Sequence, residues 1–284
     1  SVPNGGWLDG ALNVVAGAEV LRRIAGEGRP PVTVRLVNWA DEEGARFGRS
    51  LFGSSAAGGS MSDQDELRQL TDRDGIALPD ALAANGVDLD SALAARSQLD
   101  TAAAYLELHI EQGPVLEDMG IPLGAVLGTY GVERWRITWT GQAAHAGSTP
   151  MGKRRDALAG AAKLALEIRE IAARVGNGAI CEPGIVTSVV ETAEQLLDQR
   201  HLDAESLAEL LRQAQEASER FAQEENIEVD WERIWNIEPI LFDPGLIDLC
   251  DAACREVAGV SHRLPSGPLH DAADVPQRLR DLAR

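Results

Sequence analysis

Residues 132–140 read VERWRITWT. Trp135, Ile137 and Trp139 alternate with Arg134, Arg136 and Thr138, the period of two that marks a strand with one apolar side. Downstream come a helical pattern over 156–173, strand patterns over 185–190 and 193–200, a helix over 204–223 and a strand over 227–235. Strand, helix, strand, strand, helix, strand in that order is the split βαβ arrangement of a ferredoxin-like unit. Trp135 and Trp139 fall on one face of a strand that such a unit leaves open for pairing, so the segment is expected to form a homodimer.

On either side the chain reads as an α/β layer. Residues 11–24 are helical, with Leu12, Val15, Val20 and Leu21 expected to face a core and Gly26 and Gly28 ending the pattern. Residues 31–40, PVTVRLVNWA, read as a strand running into the acidic turn Asp41-Glu42-Glu43-Gly44. Short helices are expected over 63–70, 79–84 and 90–99. Residues 104–110 alternate strictly, with Tyr105, Glu107 and His109 on one side and Leu106, Leu108 and Ile110 on the other. A last helix covers 244–258 and leads to 264–271, LPSGPLHD. The fold class is therefore α/β: a domain formed by 1–128 with 238–284, interrupted by a ferredoxin-like insertion over 129–237. There is no internal repeat and no low-complexity linker.

Composition narrows the function. With 26 Lys plus Arg against 45 Asp plus Glu, the 284-residue chain has a formal charge of -19. That charge repels phosphate backbones and anionic lipid, so neither nucleic acid nor a membrane is expected as a partner. It also repels a carboxylate substrate at long range, so such a substrate needs a local cation. No apolar run reaches the length of a membrane span, and the first residues show no export signal. Cys181, Cys250 and Cys254 form neither a disulfide framework nor a zinc ribbon, which fits a reducing cytoplasm.

His109, His145 and His270, with Asp9, Glu42 and Glu43, sit in acidic or glycine-rich contexts at element ends. Ligands in α/β sheets gather at the carboxyl ends of strands, so Glu42, Glu43 and His109 are candidates to converge. Mixed histidine and carboxylate donors suit zinc or another divalent first-row ion. Consecutive glutamates allow one to bind metal while the other acts on water as a base. Each feature also has a plain reading: Asp9 as a turn or helix cap, Glu42-Glu43 as a solvated turn, His109 as a half-buried strand residue, His145 as loop filling, His270 as a cap.

Taken in order, VPNGGWLDG (2–10), NWADEEGARFGRSLFGS (38–54), LELHIEQGPVLE (106–117), GQAAHAGSTPMGKRRDAL (141–158), LLDQRHLD (196–203) and PSGPLHDA (265–272) carry a resemblance. The chain resembles the hydantoinase/carbamoylase branch of the M20 metallopeptidase clan, which holds N-carbamoyl-L-amino-acid hydrolases and allantoate amidohydrolases. The resemblance implies hydrolysis of a ureido C–N bond in a small carboxylate, either an N-carbamoyl amino acid or allantoate, by a homodimer with a catalytic domain and an inserted dimerisation domain. It implies two divalent ions per subunit (Zn, Mn, Co or Ni). Asp9 would bridge them, Glu43 and His270 would complete one site, and His109 would belong to the other. Glu42 would be the general base, His145 the oxyanion donor, Gln112 a ureido contact and Arg200 the carboxylate contact.

The chain also departs from the pattern. The family's Gly-Ser-His-x-Asp segment, which supplies another ligand, lies ahead of the first matched block, and the family runs on past the position of His270. Against the family the sequence therefore reads as truncated at both ends, with at most one tightly held ion expected and a non-catalytic dimeric remnant as the rival reading. Residues 187–191, TSVVE, stand where the family has Asn-x-x-Pro-Gly.

Overall fold

The computed structural model describes residues 8–61, 64–184, 186–189 and 191–275. The chain divides into two compact units, Ser1–Met119 with Leu269–Arg284, and Gly120–Pro268. No helix among the described residues is long and apolar enough to cross a membrane.

The first unit contains helices α1 (Ala11–Glu27), α2 (Phe52–Gly58), α3 (Gln64–Gln69), α4 (Leu78–Ala84), α5 (Leu89–Leu93) and α6 (Val115–Met119). The short helices close on one another through Phe52, Ala56, Met61, Leu67, Leu78 and Leu89. A second cluster joins Ala57, Leu99 and Val275. Three expectations are corrected here. Helix α1 forms but buries none of its residues, and Leu12, Val15 and Val20 are exposed. Residues 31–40 and 104–110 have no ladder partner among the described residues and are not strands. Alternation reports which residues share a side, whereas a strand also needs a neighbouring backbone in register. Side chains pin these segments instead. Arg35 donates to Gln98 O at 3.2 Å and to Thr101 Oγ1 at 3.1 Å, and Trp39 Nε1 donates to Tyr105 Oη at 3.1 Å.

The second unit holds β1 (Gly124–Thr129), β2 (Gly131–Thr140), α7 (Ala157–Val175), β3 (Ile180–Glu182), β4 (Val186–Val189), β5 (Thr192–His201), α8 (Ala204–Glu225), β6 (Glu228–Ile237), β7 (Ile240–Leu241), α9 (Pro244–Ala258) and β8 (His262–Ser266). One sheet runs β7-β1-β8, with β1 parallel to β8. The other runs β3-β5-β2-β6 with β4 also on β5, all antiparallel. Strands β2 and β4 thus flank β5, and β5 and β6 flank β2, which is the split βαβ order. Asp156 and Asp203 start α7 and α8 by accepting from Ala159 N at 3.2 Å and Ser206 N at 2.7 Å.

The core of this unit lies between sheet and helices. Ile137, Trp139 and Leu197 of the sheet meet Ala161, Leu164 and Ile168 of α7 and Leu210 and Ala214 of α8. A Cβ on Gly160 would stand 2.6 Å from Ile227 and 2.8 Å from the Trp139 ring, so only glycine lets α7 lie this close. Trp135 packs at the edge of this core, edge-on to Trp231 at 5.9 Å. The tryptophan face is therefore not open for pairing. The unit's own helices cover the apolar side of the sheet, and Arg134, Arg136, Asp198 and Arg200 lie on the opposite side.

Candidate active site

In the first unit the turn at 41–44 fixes the two glutamates. Asp41 and Gly44 take left-handed backbone (φ 48° and 64°), and a Cβ on Gly44 would collide with the main chain of Arg49 and Ser50. Glu42 O accepts from Leu51 N at 2.5 Å, which ties the turn to the start of α2. The geometry separates the pair: Glu43 is exposed and Glu42 is half-buried. Burial, with Glu43 and Asp271 adding negative potential, pushes the Glu42 carboxyl up to about 7.

Asp9 does not cap α1; Gly10 holds that position. Its carboxylate turns to His109 Nε2 at 3.2 Å through Oδ1 and accepts from Gln112 Nε2 at 3.2 Å through Oδ2. His109 Nδ1 lies 2.8 Å from Ile110 O, a group that can only accept, so Nδ1 carries the hydrogen and Nε2 is the nitrogen aimed at Asp9. The His270 ring packs against His109 at 4.1 Å between centroids, tilted by 36°. Burial first, then the adjacent His109, brings His270 down to about 4, leaving a neutral imidazole at physiological pH. Gln112 itself is in left-handed backbone (φ 54°), a conformation that costs a non-glycine residue energy and recurs at functional sites. Glu111 stabilises the turn by accepting from Val115 N and Leu116 N at 2.8 and 2.7 Å, so it caps α6.

The structure thus brings Asp9, His109, Gln112 and His270 together and sets Glu42 within electrostatic reach of Glu43, His109 and Asp271. The donors meet as pairs: among the described residues no three His, Cys, Asp or Glu side chains share one metal-holding point. By chemistry the set nevertheless fits a divalent ion. It offers carboxylates beside neutral imidazole, an imidazole whose second nitrogen is locked on a carbonyl, and a buried Asp271 Oδ1 with no hydrogen-bond partner.

Sequence reasoning missed the supports. Trp39 Nε1 donates to Tyr105 Oη, Tyr105 donates to Glu107 Oε2 at 3.3 Å, and Glu107 Oε2 also accepts from Ala272 N at 2.9 Å. This chain ties the His109 segment to the His270 segment. Burial raises Glu107, and it pushes Asp271 up to about 6 with Glu107 and Asp274 nearby. The available signal was the shared side of Tyr105, Glu107 and His109.

His145 and Arg200 belong to the second unit. The exposed His145 accepts from Gly147 N and Ser148 N at its Nδ1, both at 3.1 Å, so its hydrogen sits on Nε2. Arg200 donates to Asp198 through Nε at 2.7 Å and to Gly267 O through Nη1 at 2.9 Å.

Comparison with known proteins converges on one group. The model of peptidase family M20/M25/M40 matches residues 3–281. An N-carbamoyl-L-amino acid amidohydrolase of Geobacillus stearothermophilus is 37% identical over 97% of this chain and 68% of that protein. An allantoate amidohydrolase of Escherichia coli (strain K12) is 31% identical over 96% of this chain and 67% of that protein. The solved structure of a hydantoinase/carbamoylase family amidase from Burkholderia ambifaria superposes with a TM-score of 0.83 at 33% identity, covering 98% of this chain and 68% of that one. The chain belongs to peptidase family M20/M25/M40, hydrolases of amide C–N bonds.

Proposed function

We propose that this protein is an N-carbamoyl-L-amino acid amidohydrolase, cleaving the carbamoyl C–N bond with water to release the L-amino acid, ammonia and carbon dioxide. Allantoate hydrolysis is the second reading, favoured by the 31% identity to the Escherichia coli enzyme. The reading is carried by the Asp9–His109 pair at 3.2 Å, with His109 locked on Ile110 O and packed against His270. Asp9 as a shared ligand, Glu43 with His270, and His109 would hold divalent ions of the Zn, Mn, Co or Ni kind. When bound, such an ion acidifies water and polarises a carbonyl.

Glu42, the half-buried glutamate, is the general base. It takes a proton from water as the water oxygen bonds to the carbamoyl carbon, and the leaving nitrogen receives a proton as its bond to that carbon breaks. The resulting carbamic acid falls to ammonia and carbon dioxide. His145 Nε2–H donates to the tetrahedral oxyanion. Gln112, with Nε2 on Asp9, keeps Oε1 as an acceptor for a ureido N–H. Arg200 takes the substrate carboxylate. Residues 1–128 with 238–284 form the catalytic domain, and 129–237 form a dimerising lid. The long edge strand β6, which pairs only with β2 among the described residues, supports a homodimer formed through a strand edge. The three free thiols support a reducing cytoplasm.

Steady-state comparison of N-carbamoyl amino acids with allantoate, alongside elemental analysis, tests this. The expected result is a higher kcat/KM for a carbamoyl amino acid and loss of activity on chelation. Turnover of neither substrate class, or activity that survives exhaustive chelation, overturns the reading.

A further inference from the structure

Asp198 stands opposite Arg134 across the β2–β5 ladder, and Arg200 lies two residues further along β5 on the same side. The carboxylate serves both guanidinium groups. Arg200 reaches it through Nε to Oδ1 at 2.7 Å and Nη2 to Oδ2 at 3.3 Å; Arg134 reaches Oδ2 through Nη2 at 2.6 Å and Nε at 3.1 Å. Asp198 therefore occupies the Nε side of the Arg200 fork. Gly267 O takes one Nη1 hydrogen. Of the five N–H groups of an arginine, one on each terminal nitrogen of Arg200 is left without a partner among the described residues, enough for a carboxylate.

Charge decides whether that opening attracts an anion. Asp198 paired with Arg200 alone is neutral, and it would set a carboxylate close to the incoming one. The whole chain, at -19, offers no long-range attraction. Arg134 changes the sum over the three hydrogen-bonded side chains, Asp198, Arg200 and Arg134, to one surplus positive charge, which one substrate carboxylate neutralises. Arg134 is itself held over the Trp235 ring at 5.5 Å. The neighbouring Arg136 contributes no positive surplus, since it faces two carboxylates, Glu232 at 2.6 Å and Glu194 at 3.6 Å, both solvent-exposed and so largely screened. Glu182, opposite Asp198 on β3, is solvent-exposed and so largely screened.

We propose that Arg134 is a positioning residue for substrate recognition: by compensating Asp198 it leaves the charge and the outer fork of Arg200 available to the carboxylate of a monoanionic ureido substrate. The inference rests on Arg200 as the carboxylate contact.

The test compares the enzyme with its Arg134→Gln, Arg134→Lys and Arg200→Gln variants on an N-carbamoyl amino acid and on the corresponding uncharged carboxamide, at low and high salt. Arg134→Gln should raise KM for the carboxylate roughly 5-fold, with kcat moving less than KM and the carboxamide responding less than two-fold. Arg134→Lys should restore most of the loss, because it returns the charge. The rise should shrink at high salt. Arg200→Gln should raise the carboxylate KM roughly 10-fold or more. If Arg200→Gln abolishes the preference for carboxylate over carboxamide while Arg134→Gln leaves it intact, the inference is overturned and the functional reading stands. Equal effects of Arg134→Gln on both substrates would mark a purely structural residue and also overturn it. If Arg200→Gln leaves the preference untouched, the functional reading of Arg200 falls, and the inference with it.

Discussion

Residues 104–110 and 132–140 alternate with the same period, yet they bury opposite sides. Along 132–140 the apolar Ile137 and Trp139 go inward, and Arg134 and Arg136 remain toward solvent. Along 104–110, Tyr105, Glu107 and His109 are the half-buried side, and Leu106 and Leu108 are exposed. Burying Trp139 gains stability by removing apolar area from water. Burying Glu107, Glu42 and Asp271 costs desolvation, visible as carboxyls held above their ordinary range. A segment that turns its polar side inward against that cost, onto two imidazoles in contact, is organised for chemistry; one that turns its apolar side inward is organised for stability.

That contrast is broken most severely at Glu42. Glu42→Gln keeps the shape of the side chain and removes its ability to take a proton. We expect kcat to fall about 10²- to 10⁴-fold, with the melting temperature unchanged or raised, because a desolvated carboxyl is replaced by a neutral amide. A drop of less than ten-fold in steady-state assays would remove Glu42 from the proton-transfer role.

The mirror experiment is Trp139→Ala. Here the expected loss is in stability, about 3–5 kcal/mol for emptying a fully buried aromatic site, read by denaturant unfolding of the second unit's signal. Ion content should stay as it was. If Trp139→Ala instead lowered ion content at unchanged stability, the division between a chemical and a structural segment would be wrong.

How much of this was legible in the sequence follows from the same contrast. The second unit was readable because its signals are local: alternation over 132–140 and helix periodicity over 156–173, 204–223 and 244–258. Helix α9 begins and ends where its pattern does, between the Asp243 cap and Gly259. What was not readable was side. Trp135 and Trp139 marked an apolar face, but whether helices or another chain cover it depends on packing. The strands β1 and β8 were missed because their parallel pairing joins segments distant in sequence. In the first unit the candidate residues were identifiable by type, and Asp9, His109, Gln112 and His270 do meet. Their joining was not, because Trp39 reaches Tyr105 and the Ala272 amide reaches Glu107 across long sequence separations.

A smaller effect sharpens the point about local signals. Asp243 Oδ1 accepts from Leu246 N at 2.9 Å and opens α9 with Pro244 in its first turn. Asp243→Ala should cost about 1 kcal/mol, the usual value of an N-cap, without altering KM. A loss several-fold larger would mean that Asp243 contributes more than its cap.

The smallest expected effect depends on pH. Asp203 caps α8 by accepting from Ser206 N at 2.7 Å, and that hydrogen bond holds its carboxyl below the ordinary aspartate range. Because the folded value is lower than the unfolded one, the contribution is fully present above the unfolded pKa and is lost as pH falls through the folded one. Asparagine caps a helix about as well as aspartate but does not titrate in this range. Asp203→Asn should therefore match the parent protein near neutral pH and lose less of its stability between pH 5 and pH 3, by a margin of one carboxyl among the 45 acidic side chains. Thermal melts at both ends of that window decide it. Parallel loss in the two proteins would mean that Asp203 titrates alike folded and unfolded, and that its hydrogen bond to Ser206 stabilises protonated and ionised forms equally.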